Sequence, residues 1–240
     1  MTLLELRSVS KSYGAMRVTD TVSFSLARGE ALGIIGPNGA GKTTLFNLIT
    51  GNVRPDSGSV LLNGRDVTRH SAAVRCRMGI GRSYQVPHPF GGMTVFENVL
   101  VGATFGAGRS ERDGVPAALA ALERTGLRAK ANQLAGTLPL LDRKRLELAR
   151  ALATGPDLLL LDEIAGGLTE QEVVELIASI REIRSEGVSI LWVEHIVHAL
   201  IAVVDRLLVI NFGSLLMQGE PATVMASREV QEIYLGIAVE

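Results

Sequence analysis

Residues 36–44 read Gly36-Pro37-Asn38-Gly39-Ala40-Gly41-Lys42-Thr43-Thr44. Before them stands the short apolar run ALGII (31–35); the segment KTTLFNLIT (42–50) has helical spacing and is closed by Gly51. A glycine-rich turn between a buried strand and a helix leaves few folds open. The glycines let the backbone double back, so that successive N–H groups point inward. With the helix N-terminus behind them they form a cradle for an anion. The pattern matches G-x-x-x-x-G-K-[ST], a phosphate loop. Lys42 is placed to reach the β- and γ-phosphates of a nucleotide, and the Thr43 hydroxyl to meet Mg2+. The bland alternative is a glycine-rich turn with an incidental lysine; the flanking strand and helix weigh against it.

A second signal is LLLLDE, residues 158–163. Four leucines read as a buried strand that delivers Asp162 and Glu163 to the C-terminal edge of a sheet, where ligands bind in such folds. Asp162 would hold Mg2+ through water, and Glu163 would polarise an attacking water. An acidic pair ending a strand is common in itself. Its place about 120 residues after the loop gives it weight.

The rest of the chain is organised around these two signals. Alternation predicts strands over 3–9 and 17–27, a hairpin over 57–67 turning at Asn63-Gly64, and a strand over 78–84. Helical spacing then predicts helices over 94–104, 116–125 and 143–153. The strand at 158–162 is followed by a helix over 169–186, opened by a capping box of Thr169 with Glu172 and closed by Gly187. SILWVE reads as a strand, HIVHALIAVV as a helix, RLLVINF and SLLMQGE as strands, and a last helix starts near Pro221. This predicts an α/β fold with a mostly parallel sheet covered on both faces, an N-terminal antiparallel β region and a helical insert. The expected organisation is one domain over 1–240, with its core in 1–86 and 154–240 and a helical subdomain over about 87–153.

The net charge of −1 and the lack of a polybasic run point away from nucleic acid and from anionic membrane surfaces. A single cysteine, Cys76, excludes an internal disulfide and fits a reducing compartment. No stretch reaches the roughly 18 apolar residues of a spanning helix. The start, MTLLELRSVS, meets acid at Glu5 and lacks the basic opening of a signal peptide. The expectation is a cytosolic chain, or one that docks on a membrane through other proteins.

With the loop, the acidic strand end and their spacing in place, the sequence resembles the ATP-binding subunits of ABC (ATP-binding cassette) transporters over nearly its whole length. The resemblance implies a P-loop NTPase (RecA-like) core, ATP and Mg2+ as ligands, and ATP hydrolysis. Tyr13, in KSYG, stands where the family stacks an aromatic ring on adenine. Gln85, in RSYQVP, stands where the family's glutamine senses Mg2+ and the γ-phosphate. Ala165-Gly166-Gly167-Leu168 falls where the family crosses to its partner subunit, and His195, in LWVEHIVH, where its histidine contacts the γ-phosphate. Singly these read as a surface aromatic, a loop amide and a helix cap; their order and spacing carry the resemblance. His70, His88 and His198 have no such placement and read as surface residues, and Trp192 as packed in the sheet.

The segments RSYQVPHPFGGMTVFENVLVGA, RKRLELARALAT, LWVEHIVHALIAVVDRLLVINFG and EVQEIYLG look like the cassettes of branched-chain amino acid importers. Close relatives of that group handle urea, short amides and other small polar solutes. This implies a second cassette, of the same or a different chain, two permease subunits and an extracytoplasmic solute-binding protein, assembled at the cytoplasmic face of the membrane. Val86 to Phe90 and Val95 to Val99 lie where the family docks its permease; Pro87, Pro89 and Phe90 equally read as a rigid loop with one apolar anchor.

One stretch departs from the family. Its signature, Leu-Ser-Gly-Gly-Gln, aligns with Leu138-Pro139-Leu140-Leu141-Asp142. Only Leu138 matches. Pro139 removes a hydroxyl, and Leu141 puts a side chain where glycine permits close approach. Asp142 adds negative charge near a triphosphate, although as an N-cap it suits the helix. Since the signature serves the partner's ATP, the defect is expected to fall on the partner's site, and reverting Leu141→Gly to raise ATPase activity. The alternative function is a cassette that closes on ATP as a dimerisation switch with poor turnover. A small-molecule kinase would need a substrate pocket and lid and leaves Gln85 and His195 unexplained. Cassettes of DNA repair or translation show long coiled coils or two cassettes in one chain, and neither is present.

Overall fold

The computed structural model describes residues 1–235. In chain order the strands are β1 (Thr2–Tyr13), β2 (Met16–Ala27), β3 (Ala31–Ile35), β4 (Ser57–Leu62), β5 (Arg65–Asp66), β6 (Ile80–Ser83), β7 (Leu158–Asp162), β8 (Ser189–Val193), β9 (Arg206–Asn211) and β10 (Ser214–Gly219). The helices are α1 (Lys42–Thr50), α2 (Ala72–Arg77), α3 (Val95–Val101), α4 (Glu111–Arg124), α5 (Leu140–Ala153), α6 (Glu170–Ser185), α7 (Val197–Ile201), α8 (Pro221–Met225) and α9 (Arg228–Leu235). They form two compact units: Met1–Ala72 together with the chain from Leu191 onward, and Ala73–Ile190.

The first unit contains an antiparallel sheet in the order β2-β1-β4-β5. Pairing of Leu4 with Leu26, Leu6 with Phe24 and Val9 with Val22 lines up buried apolar side chains across β1 and β2. Asn63 and Gly64, both at positive φ (51° and 75°), turn the β4–β5 hairpin as the sequence predicts. β3, buried throughout, runs parallel to β9, with β10 antiparallel on the other side of β9. In the second unit β6 runs parallel to β7, with Ser83 opposite Leu161. The fold is therefore the expected α/β one, with parallel pairs and a separate antiparallel region. The second unit takes in β6, β7 and α6 as well as the helices α3 to α5.

Several boundaries differ from expectation, each for a local reason. α4 begins at Glu111 because the Ser110 side chain caps it by accepting the Asp113 N–H; Pro116 lies inside the helix rather than opening it. α3 ends at Val101 and passes into a π-helical turn over Gly102–Gly106. α7 is one short helix, and the last helix is broken into α8 and α9. Gly236, which ends the segment EVQEIYLG, lies outside the described residues.

Candidate functional site

The first unit holds the phosphate loop, Tyr13 and His195. Two of the loop's glycines stand where no side chain fits. A Cβ on Gly36 would run into the carbonyl oxygen of Ile210, and one on Gly41, at φ 102°, into that of Val18. The loop is held from outside by the Gly213 N–H, which donates to the Ala40 carbonyl at 3.0 Å. Pro37 and Thr44 are half-buried, while Asn38, Gly39 and Thr43 are exposed. Lys42 is buried, and its ammonium donates to the carbonyls of Gly36 and Pro37 at 2.7 and 3.0 Å. α1 starts after Gly41, its N-cap, with no side-chain cap, so its first turn is a place for an anion. The cradle, the lysine and the exposed Thr43 hydroxyl fit a nucleotide's phosphates and the Mg2+ that accompanies them.

Tyr13 ends β1 with its ring half exposed, and the Lys11 ammonium lies 5.7 Å from the ring centroid. His195 is exposed just after β8, and its backbone N–H donates to the carboxylate of buried Glu194 at 3.0 Å. It does not cap α7, whose N-cap position is Ile196. His70, His88 and His198 are exposed as expected, and Trp192 is fully buried in β8.

The second unit holds Gln85, Asp162, Glu163 and the segment 138–142. It brings Gln85 and Glu163 together: the Gln85 amide donates to Glu163 Oε2 at 2.6 Å, across 78 residues of sequence. Glu163 has φ 47°, a left-handed backbone that a non-glycine residue adopts at a cost of roughly 1–2 kcal/mol. The turn ends the strand abruptly after Asp162. Asp162 itself is buried, and Arg82 Nη2 donates to its Oδ2 at 2.6 Å while the guanidinium stacks 4.8 Å from the Tyr84 ring centroid. Among the described residues no group of three or more His, Cys, Asp or Glu is placed to hold a metal. Mg2+ bound at the exposed Thr43 hydroxyl would complete its shell largely with phosphate oxygens and water, as that ion commonly does.

Sequence reasoning missed the residues that fix the loop after Gln85. The carboxylate of Glu147 accepts the His88 N–H, and Arg150 donates to the His88 carbonyl, both at 2.9 Å. Asn98 exchanges hydrogen bonds with the backbone of Phe90 at 2.8 and 3.1 Å. Lys144 donates to the carbonyl of Gln85 at 2.5 Å. One signal was available: Lys144 lies on the same helical stripe as Leu141, Leu148 and Leu152.

The segment 138–142 differs from expectation in three ways. α5 starts at Leu140, with Pro139 (φ −66°) at the N-cap position and no side-chain cap, so Asp142 is not the cap. The Asp142 carboxylate turns inward, is 4% exposed, and is ion-paired with Lys130, with Arg145 3.9 Å away. Its charge is thus answered within the fold rather than presented outward. Leu141 is buried as well, at 9% exposure, whereas Leu140 is 42% exposed and Pro139 lies at the surface. The bulky side chain standing at the helix start is Leu140, which reaches toward Gly167. The obstruction assigned to Leu141, and with it the stated basis of the poor-turnover alternative, is not seen. Leu138 is buried, and its carbonyl accepts from Arg143 at 2.7 Å.

A family model described as ABC transporter matches residues 19–166. The chain is 37% identical over 237 residues to the lipopolysaccharide export system ATP-binding protein LptB of Acidithiobacillus ferridurans, covering 98% of this chain and 97% of that one. It is 35% identical over 251 residues to the high-affinity branched-chain amino acid transport ATP-binding protein LivG of Escherichia coli, covering 98% of each. Among solved structures, the ADP conformation of an ATP-binding cassette of an ABC transporter superposes with a TM-score of 0.90 at 31% identity, over 99% of this chain and all of that one.

Proposed function

The chain belongs to the ATP-binding cassettes of ABC transporters, which hydrolyse ATP to power transport, and on that premise we propose that it energises import of a small solute, branched-chain amino acids or a related polar compound. The proposed roles follow the chemistry of the residues. The phosphate loop, residues 36–44, binds the phosphates, with Lys42 on the β- and γ-phosphates, while Tyr13 stacks on adenine. Glu163 takes the proton of the attacking water, Gln85 orients it, and His195 contacts the γ-phosphate. Mg2+ would be held by Thr43, Gln85 and Asp162 and would supply charge to screen the phosphates.

The observation that carries the catalytic assignment is the 2.6 Å hydrogen bond between Gln85 and Glu163 at the end of β7. Its test is Glu163→Gln: turnover should fall about 10²- to 10⁴-fold, the scale of a lost general base, with ATP affinity kept. Full turnover in that variant would remove Glu163 from the role.

The solute class rests on the importer-like segments and on the likeness to LivG; the likeness to LptB supports an export reading instead. Deleting the gene and measuring uptake of labelled leucine, urea and short amides separates them. Unchanged uptake with depleted surface lipopolysaccharide would overturn the import reading.

The partners in this reading are a second cassette, of the same or a different chain, two permeases and an extracytoplasmic solute-binding protein. No helix among the described residues is long and apolar enough to cross a membrane, so in this reading the permeases supply the attachment at the cytoplasmic face. Val86 and Phe90 are exposed in the loop where docking was expected, although Val95 and Val99 face inward. A groove of about 470 Å³ beside α3, lined by Met93, Leu100, Val101 and the exposed Phe105, adds apolar surface for a permease segment.

A further inference from the structure

Lys144, the fifth residue of α5, is 4% exposed and has no part in the roles above. Its ammonium donates to the backbone carbonyl of Gln85 at 2.5 Å and lies 3.5 Å from the carbonyl of Glu163. The side chains of the same two residues are joined by their own hydrogen bond. One buried charge therefore fastens the backbones of both groups that the reaction needs. Burying an ammonium is costly unless its protons are bonded, and a neutral side chain of similar length would fill the space without that cost. The carbonyls of Gln85 and Glu163 are among the groups that answer this charge. Glu163 has particular need of such an anchor, since its φ of 47° lies in a region that L residues rarely adopt. Further along α5, Glu147 and Arg150 hold the N–H and carbonyl of His88, so one helix fixes the loop at both ends of 85–88.

We infer that Lys144 is a positioning residue for ATP hydrolysis: it holds the backbones of Gln85 and Glu163 so that their side chains stay aimed at the reacting water. This rests on the ATP-hydrolysing reading. The phosphate loop and Tyr13, which carry most of the proposed ATP binding, lie on other segments, so removing Lys144 should act mainly on kcat and largely spare KM.

The test uses the full-length chain with Lys144→Met, Lys144→Gln and Lys144→Arg. In Lys144→Met, kcat should fall about a hundredfold, the penalty of misplacing a catalytic group by about 1 Å, with KM for ATP within about twofold. Lys144→Arg, which keeps a charged donor, should recover most of the loss, and Lys144→Gln less. Backbone amides of 84–86, 88 and 162–166 should exchange faster in Lys144→Met than in the parent. A folded Lys144→Met with kcat within twofold of the parent overturns the inference. So does a loss shared equally by kcat and KM, or one that Lys144→Arg fails to recover at all. If Lys144→Met does not fold, Lys144→Arg and Lys144→Gln decide by the same split. If the parent binds ATP but does not turn it over, the hydrolysis reading fails first, and the amide exchange still tests the anchoring.

Discussion

Glycine at Leu141 and glycine at Leu140 should behave very differently, although the two residues are adjacent and both align with glycines of the family signature. Leu141 is 9% exposed and Leu140 is 42% exposed. Truncating a buried leucine costs about 2–5 kcal/mol through lost transfer energy and the cavity left behind. Glycine adds up to about 1 kcal/mol in a helix, less in a first turn. Leu141→Gly should therefore lose about 3–5 kcal/mol, and Leu140→Gly about 1–2 kcal/mol. The losses differ by about 2–3 kcal/mol, so at about 2–4 °C per kcal/mol for a chain of this size the melting temperatures of the two variants should differ by about 4–12 °C. Thermal and urea unfolding followed by circular dichroism measures this directly. ATPase activity is then expressed per folded molecule in the assembled complex. On that scale Leu141→Gly should give no gain, and any gain from a smaller residue should come from Leu140→Gly. Equal destabilisation by the two variants, or a clear rise in turnover with Leu141→Gly alone, would refute the reasoning.

The ion pair of Arg82 with Asp162 is buried on both sides, so Arg82→Met should cost about 3–5 kcal/mol by leaving a carboxylate unpaired; a drop of less than about 1 kcal/mol in urea unfolding would show that the pair is not what stabilises the strand end. The Glu172 carboxylate is held below its ordinary range, first by the backbone N–H of Thr169 and then by its hydroxyl. Its contribution to stability is therefore present above the ordinary carboxylate pKa and is lost as pH falls through the lowered value. Glu172→Gln keeps the reciprocal cap but cannot titrate, so the stability difference between parent and variant should shrink on acidification; a constant difference from neutral pH to pH 3 would contradict this.

What the sequence made legible was local. β3, α1 and β7 fall on their predicted residues because each is an apolar run or helical repeat bounded by glycine or by charge. The capping box of α6 was readable from Thr169 and Glu172 alone. What it hid depends on distant partners. Asp142 looks like a cap until Lys130, 12 residues earlier, takes its carboxylate. The start of α4 was misplaced because Pro116 resembles a first helical residue, while the cap that opens the helix is Ser110. The contact of Gln85 with Glu163 spans 78 residues and was reachable only through family resemblance. What Lys144 does was hidden because the carbonyls near its ammonium lie 59 and 19 residues away.

Lys42 enters any binding event with its ammonium already bonded to the carbonyls of Gly36 and Pro37. Phosphate capture at this loop is thus an exchange of acceptors rather than a simple addition, and the affinity measured is a difference between two bonded states. A variant lacking the ammonium alters the loop itself as well as its contact with phosphate. Its weakened binding, taken alone, would understate how strongly the lysine grips phosphate.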